Sequence, residues 1–393
     1  MPGPLSHVRV LDLSRIMAGP WAGQIFSDLG ADVIKVERLG VGDDTRKWGP
    51  PYLKDKDGNE TKESGYYLSV NRGKRSVELD ISTPHGRDAV LALAKTSDIV
   101  LENFKSGTLA RYGLSYDDLN AVKPDIIYAS ITGFGQTGPR KNDAAYDFMI
   151  QAMGGLMSVT GAPDGTAGAG PQKVGVPIID IMTGMYTSIA VLAALSNRDK
   201  TGKGEFIDIA MLDVAAAMLA NQAMNYLVAG DEPVRRGNKH PNIQPQDVFP
   251  VQDGHLVVAV GNDGQFVEFA KALGHSYWSD DERFSANDAR VNHLDKLHPM
   301  ICEALQKQTL AHWLDVLGNA GVPCGPINTI PMVMKDEQIQ HREMVRDLAH
   351  PLAGTVKHVV SPMRFTNAPL SYEKSAPLLG ADTKAILDEL GLS

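Results

Sequence analysis

The chain has 393 residues, enough for two or three domains of ordinary size. Hydrophobic residues make up 43% of it and charged residues 22%, which is typical of a globular protein with a buried core. The net charge of −9 argues against general binding to nucleic acid, so an anionic ligand would need a local group of basic side chains.

The first third of the chain alternates predicted strands and helices. Such alternation predicts βαβ units, and therefore an α/β fold with an open, parallel, Rossmann-like sheet that binds ligands at the carboxyl ends of its strands. The predicted strands are HVRVLDL (7–13), DVIKVE (32–37), RSVELD (75–80), DIVLEN (98–103) and DIIYASI (125–131), and the predicted helices are PWAGQIFSDLG (20–30) and PHGRDAVLALAKT (84–96).

Three further elements extend this large domain to residue 230: a long helix over 177–196, the strand EFIDIA (205–210) and a helix over 212–228. Residues 231–249 are loop-like and rich in Pro, Asn and Gln. They precede a hairpin-like strand, HLVVAV (255–260), and helical stretches, so we expect a smaller α+β domain over 231–325. The C-terminal segment, 326–393, contains a strand-like TVKHVV (355–360) and a terminal helix, and is expected to return to the large domain.

The segments that would direct the chain out of the cytoplasm are not recognisable in the sequence. Cys302 and Cys324 form no CxxC pair and no disulfide framework, which is typical of a reducing compartment. The start, MPGPLSHVRVLDL, lacks the features of a signal peptide. The longest apolar run, 181–195, is interrupted by small polar residues and is shorter than a bilayer requires. We therefore expect a cytoplasmic protein without a membrane partner.

Basic residues stand at the ends of several predicted strands and in the turns beside them. Because the carboxyl ends of parallel strands meet at one edge of a sheet, these side chains are expected to converge on an anionic, phosphate-bearing ligand. For any one of them, a solvated surface charge is the alternative. The basic residues are Arg38, Arg72, Lys74, Arg75, Lys105 and Arg111.

The stretch GFGQTG (133–138) has the GxGxxG spacing of dinucleotide-binding loops. The residues after it, PRKN, have the composition of a loop rather than of the helix which that fingerprint requires. We therefore expect a backbone turn close to a ligand and not a nicotinamide site. The sequence has no GxxxxGK[ST], HExxH or GxSxG motif and no paired histidine spacing, so no metal is expected.

One acid, Asp180, stands at the start of an otherwise apolar segment, GVPIIDIMTGMYTSIAVLAAL. An acid near a helix N-terminus is stabilised by the helix dipole, which is a purely structural explanation. The other explanation is a reacting carboxylate in a partly dry site. The local pattern leaves both explanations open.

Motifs in one order along nearly the whole chain resemble the class III CoA-transferases, the group of formyl-CoA and carnitine–CoA transferases that also contains the α-methylacyl-CoA racemases. The resemblance implies that Asp180 is the nucleophile and that the protein is an interlaced homodimer. It also implies coenzyme A and acyl-CoA as substrates, with no tightly bound cofactor. The motifs include AGPWAGQIFSDLGADVIKVERLGVGDDTRKWGPP, NRGKRSVELD, VLENFKSGTLARYGL, ASITGFGQTGP, KTGKGEFIDIAMLD, GVPCGPINT and APLLGADTKAILDELG.

The same resemblance implies where CoA binds. The glycine turn, with Gly133, Phe134 and Gly135, should approach the pantetheine end, and Gly237 and Asn238 should form a lid from the small domain. The residues expected along CoA are Arg38, Arg72, Lys74, Arg75, Asn103, Phe104, Lys105 and Arg111.

The choice between transferase and racemase depends on the segment AAYDFMIQAMGG. The racemases have a histidine before the aspartate there, whereas this chain has Tyr146 before Asp147. A phenol is a poor base for an α-proton at neutral pH, so we expect CoA transfer, with Tyr146 and Asp147 shaping the acyl site. Racemase activity is the alternative, and a catalytically silent CoA-binding protein is a third.

The most similar branch acts on dicarboxylates such as succinate and glutarate. A dicarboxylate needs a cation for its distal carboxylate. Arg46, Arg235 and Arg236 are the candidates.

Overall fold

The computed structural model describes residues 3–370 and 372–392. The chain forms two compact units. The first comprises the residues up to Met157, Lys173–Gly230 and those from Glu337 onward, and the second comprises Ser158–Gln172 and Asp231–Asp336.

The strands and helices of the described residues are numbered here in chain order. The strands are β1 (Arg9–Asp12), β2 (Asp32–Glu37), β3 (Tyr52–Lys54), β4 (Glu60–Ser64), β5 (Arg75–Glu78), β6 (Ile99–Glu102), β7 (Ile127–Thr132), β8 (Glu205–Ala210), β9 (Gln246–Val251), β10 (Gly254–Ala259), β11 (Cys324–Pro326), β12 (Val345–His350) and β13 (Gly354–Val359). The helices are α1 (Ala18–Asp28), α2 (Gly65–Leu68), α3 (Pro84–Lys95), α4 (Tyr116–Val122), α5 (Asp147–Met153), α6 (Leu156–Val159), α7 (Ile178–Thr201), α8 (Met211–Met218), α9 (Ala220–Ala229), α10 (Asp263–Ala272), α11 (Asn287–Asn292), α12 (Leu294–Leu305), α13 (Leu310–Asn319), α14 (Ile330–Lys335), α15 (Glu337–His341) and α16 (Thr383–Leu390).

The main sheet of the first unit is parallel and has the strand order β5-β2-β1-β6-β7-β8. This is the order of a doubly wound Rossmann-like sheet, whose direction of winding changes between β1 and β6. The predicted α/β class with an open parallel sheet is confirmed, and each of its strands lies at a position predicted from the sequence.

Both faces of the central strands of this sheet are buried, so apolar residues predominate there, as in β6 with the sequence IVLE. Neighbouring strand residues point to opposite faces. Val10 packs with Phe26 of α1 and Val191 of α7 on one side, whereas Leu11 packs with Val90 of α3 on the other side. Helices therefore cover the sheet on both faces.

The longest helix, α7, precedes the edge strand β8 and packs along α1. Because it leads back to the start of a parallel strand, its N-terminus lies at the carboxyl edge of the sheet, where ligands bind in this class of fold. At residue 184 any side chain would place its Cβ 2.7 Å from the carbonyl oxygen of Ala18, so Gly184 permits the close approach of the two helices.

The length of α7 exceeds the apolar run that the sequence shows, because the helix continues into the polar residues before Thr201. Its 24 residues include an 18-residue window of mean hydropathy 1.8, so by length and composition α7 could cross a membrane. Half of that window is buried inside the protein, as in the core helix of a globular domain.

The secondary structure differs from the sequence prediction in several places, among them β9 (Gln246–Val251), which begins inside the segment 231–249 that was predicted as a loop. The helix predicted over 212–228 is interrupted between α8 and α9, where Ala220 has a left-handed backbone with φ of 41°. No glycine or proline marks that break in the sequence. The hairpin β3–β4 and the strand β12 were not predicted either, because ETKES and VRDLAH are too polar for the pattern of a buried strand.

The second unit contains an antiparallel sheet of order β11-β10-β9 and the helices α10–α14 around their own apolar core. It also includes Ser158–Gln172, which the sequence pattern assigned to the large domain. Hydrogen bonds explain this, because Gly237 donates its N–H to the carbonyl of Gly161, and Arg235 donates to that of Ala162.

Candidate active site

Asp180 lies in the first turn of α7 and is only 9% exposed. Burial, followed by the negative charge of Asp147, raises the pKa of Asp180 from 3.8 to about 7. Among the described residues no lysine or arginine forms an ion pair with it. A buried carboxylate without a cation is costly and is typical of functional sites.

Asp147 caps the start of α7 from a different helix. Its Oδ1 accepts hydrogen bonds from the backbone N–H groups of Ile179 and Asp180, at 2.7 and 3.2 Å. The cap position of α7 is Pro177, which has no side chain able to accept these bonds. Asp147 therefore fixes the backbone that carries the Asp180 carboxylate.

Tyr66, at the start of α2, lies near Asp180 and Asp147 and also near a third acid, Asp43. Burial raises the pKa of Tyr66 to about 12, and the negative charges of Asp180, Asp147 and Asp43 add to the effect. The ring of Trp48 stands edge-on to Tyr66 with ring centres 5.0 Å apart. Tyr66 belongs to no recognisable motif in the sequence, because it comes near Asp180 only in the folded chain.

A cavity of about 290 Å³ opens at the carboxyl edge of the sheet, where the direction of winding changes between β1 and β6. Residues that follow β1, β2, β5 and β6 line it, as expected for a ligand site in this fold. Aliphatic and aromatic side chains form much of the wall, with Arg15 and Arg38 as its arginines. The remaining lining residues are Leu13, Lys35, Val36, Glu37, Gly42, Asp43, Leu79, Asp80, Ile81, Ser82, Phe104, Thr108 and Tyr112.

Buried ion pairs stabilise the wall of this cavity. Lys35 contacts Asp43 at 2.9 Å and donates to the carbonyl of Ser14 at 2.7 Å. Burial opposes ionisation of Asp43, but the charge and hydrogen bond of Lys35 outweigh it, so the pKa of Asp43 is lowered. The Asp43 carboxylate in turn accepts from the N–H of Ile16, whose left-handed φ of 72° is strained for a β-branched residue.

Some residues predicted along CoA lie at this cavity. Arg38 and Phe104 line it, and Asn103 holds its edge by hydrogen bonds with both the N–H and the carbonyl of Arg15. Lys105 and Arg111 are exposed in the segment that follows β6. Within the described part of the chain, no carboxylate pairs with Arg38, Lys105 or Arg111.

Other predicted cations are engaged elsewhere, and for these the prediction from strand-end position requires correction. Arg72 is buried and pairs with Asp28 at 2.6 Å, and Lys74 is buried and pairs with Asp12 at 2.9 Å. Each carboxylate partner neutralises a charge that would otherwise attract a phosphate. The structure therefore does not bring Arg72 and Lys74 into the cavity.

Arg75 and Arg46 are also paired with acids. Arg75 contacts Glu389 near the C-terminus and also Asp32. Arg46 is buried and contacts Glu37 at 2.8 Å and Glu63 at 3.0 Å, so its guanidinium is not available for a substrate carboxylate. A sequence shows that these residues are basic but not which acids they meet.

The glycine turn has the predicted conformation. Gly135 has φ of 86° and donates its N–H to Thr132 Oγ1 at 2.8 Å, while the next residue, Gln136, donates its N–H to Asp208. Gly133 and Phe134 begin this turn directly after β7, and no helix opens inside the motif, as it would in a dinucleotide fingerprint.

The remaining predicted residues are exposed or lie in the second unit. Tyr146 directly precedes α5 and is 61% exposed. In the second unit Gly237 and Asn238 lie in an exposed loop, next to the exposed Arg236. Arg235 pairs there with Asp164.

Several cavity residues were not found from the sequence. Arg15 and the segment 79–82 line the cavity, but neither belongs to a recognisable ligand-binding pattern. The only available signal for Asp80, Ile81 and Ser82 was their position directly after a predicted parallel strand. Among the described residues, no cluster of three or more His, Cys, Asp or Glu side chains could hold a metal ion.

The model of CoA-transferase family III matches residues 5–383, which is nearly the whole chain. The chain is 47% identical to succinate–glutarate CoA-transferase of Agrobacterium fabrum, over 98% of this chain and 96% of that protein. It is 40% identical to human succinyl-CoA:glutarate CoA-transferase, over 98% of this chain and 86% of that protein. Among solved structures it is similar to a CaiB/BaiF family protein from Brucella suis, with 46% identity, a TM-score of 0.86 and coverage of 99% of this chain and 100% of that one.

These likenesses, together with the fold, show that the chain belongs to CoA-transferase family III. The resemblance recognised in the sequence motifs is confirmed, as is the prediction of a CoA-transferase rather than a silent binding protein.

Proposed function

We propose that this enzyme transfers CoA from succinyl-CoA to a second dicarboxylic acid, with Asp180 as the nucleophile. The observation that carries the proposal is Asp180 itself, a buried carboxylate without a cation at the carboxyl edge of the sheet. The substrate class is supported by relatives whose names specify succinate and glutarate, and by others named for mesaconate or citramalate.

The reaction proceeds through covalent intermediates on Asp180. The carboxylate attacks the thioester carbonyl, the C–S bond breaks, and an acyl-aspartyl anhydride and CoA thiolate form. The thiolate attacks the aspartyl carbonyl, which releases the first carboxylic acid and leaves an aspartyl-CoA thioester. The acceptor carboxylate then attacks this thioester and displaces the thiolate. Attack of the thiolate on the acyl carbonyl of the new anhydride gives the new acyl-CoA and restores Asp180.

The cavity beside Arg38 is the proposed site for the nucleotide end of CoA. Its aliphatic and aromatic wall suits a purine, and Arg38, together with Lys105 and Arg111 of the segment after β6, suits phosphates, whereas Arg15 is paired with Asp44 at 2.8 Å. The backbone of the glycine turn at Gly135 is the proposed neighbour of the pantetheine end. Its N–H groups would stabilise developing oxyanions only if they exchanged their present partners.

The residue before Asp147 favours CoA transfer over racemisation. Tyr146 is exposed and replaces the histidine that the racemases have there, and the relatives cited above are named as transferases. Deuterium uptake distinguishes the two activities. In D₂O, an α-methylacyl-CoA should gain no deuterium at its α-carbon at a catalytic rate, while CoA exchange with added carboxylic acids proceeds.

The experiment that tests the substrate class is a screen of acyl-CoA donors against carboxylic acids, in which mass spectrometry detects each new thioester. Succinyl-CoA with glutarate or a related dicarboxylate should give the fastest exchange. Monocarboxylates of the same length form the matched control, because they lack only the distal carboxylate. Equal rates with monocarboxylates would refute the assignment of a dicarboxylate substrate.

We also propose that the functional unit is a homodimer. Its support is the family resemblance together with exposed apolar side chains on two helices of the first unit, among them Ile189 on α7 and Leu227 and Val228 on α9. Light scattering after size exclusion should give twice the mass of one chain, and a mass of one chain at micromolar concentration would contradict the proposal.

A further inference from the structure

Gln151 lies on α5, one turn after Asp147, and its side chain is completely buried. Its Nε2 donates to Asp147 Oδ2 at 2.6 Å, and its Oε1 accepts from the backbone N–H of Val174 at 2.9 Å. Both ends of the amide are therefore used. Neither hydrogen bond belongs to the backbone bonding of α5, and together they hold Asp147 of the same helix and join α5 to the segment at Val174.

Both partners of Gln151 are connected with the start of α7, where Asp180 lies. Asp147, held at Oδ2 by Gln151, uses its Oδ1 to accept from the N–H groups of Ile179 and Asp180. Val174 begins the chain that leads into α7. A continuous path of hydrogen bonds thus runs from the Gln151 amide through the Asp147 carboxylate to the backbone of Asp180.

We propose that Gln151 is a positioning residue for the transfer reaction, holding Asp147 against the first turn of α7 and thereby fixing the place and the charge environment of Asp180. The inference rests on the proposed function, in which Asp180 attacks the thioester. Gln151 itself meets no reacting atom. Its effect follows from geometry, since a small misplacement of a nucleophile strongly slows a reaction that needs alignment.

The negative charge of Asp147 on α5 bears on Asp180, and Tyr66 on α2 lies near enough for the charge of Asp180 to raise its pKa. Removal of the Gln151 donor frees Asp147 Oδ2 and loosens the cap that Asp147 Oδ1 places on the first turn of α7. A carboxylate at position 151 should instead increase the negative charge beside the pair.

The test compares Gln151→Leu and Gln151→Glu with a matched control, Gln24→Leu. Gln24 is another buried glutamine that bridges two segments, by donating to the carbonyl of Ser69 and accepting from the N–H of Arg72. Each leucine variant therefore loses two buried hydrogen bonds, but only at position 151 does the loss reach Asp147. Succinyl-CoA with a dicarboxylate acceptor is the assay, and circular dichroism and thermal unfolding establish folding.

We expect Gln151→Leu to lower kcat on the order of tenfold to 100-fold with the acyl-CoA KM changed by less than about threefold. The acid-limb midpoint of kcat/KM should move to higher pH in Gln151→Glu, because the added carboxylate opposes ionisation of Asp180. Gln24→Leu should lose a similar amount of thermal stability and keep the native kcat and midpoint. Should Gln151→Leu fail to fold, the nearly isosteric Gln151→Glu carries the test.

Native kcat and native midpoints in the Gln151 variants, with a loss of stability like that of Gln24→Leu, would overturn the inference and leave Gln151 a structural residue. Failure of the proposed function is seen separately. It would appear as absence of CoA transfer by the native enzyme, or as retained turnover in Asp180→Asn, before any Gln151 variant is measured.

Discussion

Two groups of buried carboxylates lie at the carboxyl edge of the same sheet, and they differ in their partners. In the cavity wall, Asp43 and Glu37 meet Lys35 and Arg46 directly, and both carboxyl groups have a lowered pKa despite burial. At the start of α7, Asp180 has another acid as its neighbour, and its pKa is raised to about 7. The first arrangement pairs each buried negative charge with a cation, whereas the second leaves a carboxyl group without one, as is typical of functional sites.

The largest expected effect comes from removing the unpaired carboxylate. Asp180→Asn keeps the shape of the side chain but has no anionic oxygen, so transfer should fall by about 10⁴-fold or more. Steady-state exchange of label between succinate and succinyl-CoA measures this. Asp55→Asn is a matched control, because Asp55 is a half-buried acid of the turn between β3 and β4, where it accepts from the backbone N–H of Asn59. If Asp180→Asn retained a tenth of native turnover, the two groups of acids would not differ in function.

Breaking a paired acid should instead affect stability. Lys35→Met leaves the buried Asp43 without its cation and should lower the free energy of unfolding by about 3–5 kcal/mol. The double variant Lys35→Met with Asp43→Asn removes both charges and should recover part of this loss. Urea unfolding measures all three proteins, and an unchanged midpoint in Lys35→Met would show that the pair contributes little.

The raised pKa of Asp180 predicts a pH-dependent cost. The unfolded chain ionises near 3.8 and the folded protein near 7, so the folded state holds an extra proton between these values and native stability falls as pH rises through that window. Asp180→Asn has no such cost. It should match the native protein near pH 4, where both are folded, and exceed it by about 2–4 kcal/mol at pH 8. A difference that did not vary with pH would contradict the shift.

The smallest of these effects concerns CoA binding. Arg38→Ala should raise the KM for succinyl-CoA about tenfold or more and leave kcat nearly unchanged, because a charge-assisted hydrogen bond contributes roughly 1.5–3 kcal/mol. Arg87→Ala is the control, since Arg87 is a half-exposed arginine of α3 that pairs with Asp88 outside the cavity. Equal KM values in the two variants would remove Arg38 from the site.

The strands of the parallel sheet were predictable because apolar residues recur in them between turn signals, although β5 and β8 also carry polar residues. The hairpin β3–β4 was missed because polar residues such as Lys62 occupy it. The fold class was thus accessible from pattern alone. Strand-end position also led to the carboxyl edge as the place for a ligand.

The site was only partly predictable. Arg38 directly follows β2, whereas Lys74 directly precedes β5, at the amino end of that parallel strand. Lys74 is buried against Asp12, and Arg38 lines the cavity. A single sequence does not contain long-range contacts such as that between Lys74 and Asp12. For the same reason Tyr66 and Gln151 were not identified. The role proposed for Asp180 came from the family resemblance, since its local pattern alone fitted a helix-terminus acid.

The most direct test of the account is to trap the covalent intermediate on Asp180. The enzyme is incubated with succinyl-CoA without a second acid, treated with hydroxylamine and digested with trypsin. Cleavage after Lys173 and Arg198 yields a peptide, 174–198, in which Asp180 is the only acidic side chain. A hydroxamate on this peptide, formed only in the presence of succinyl-CoA and lost in Asp180→Asn, is the predicted result. An adduct on the neighbouring peptide that carries Asp147, with peptide 174–198 unmodified, would contradict it.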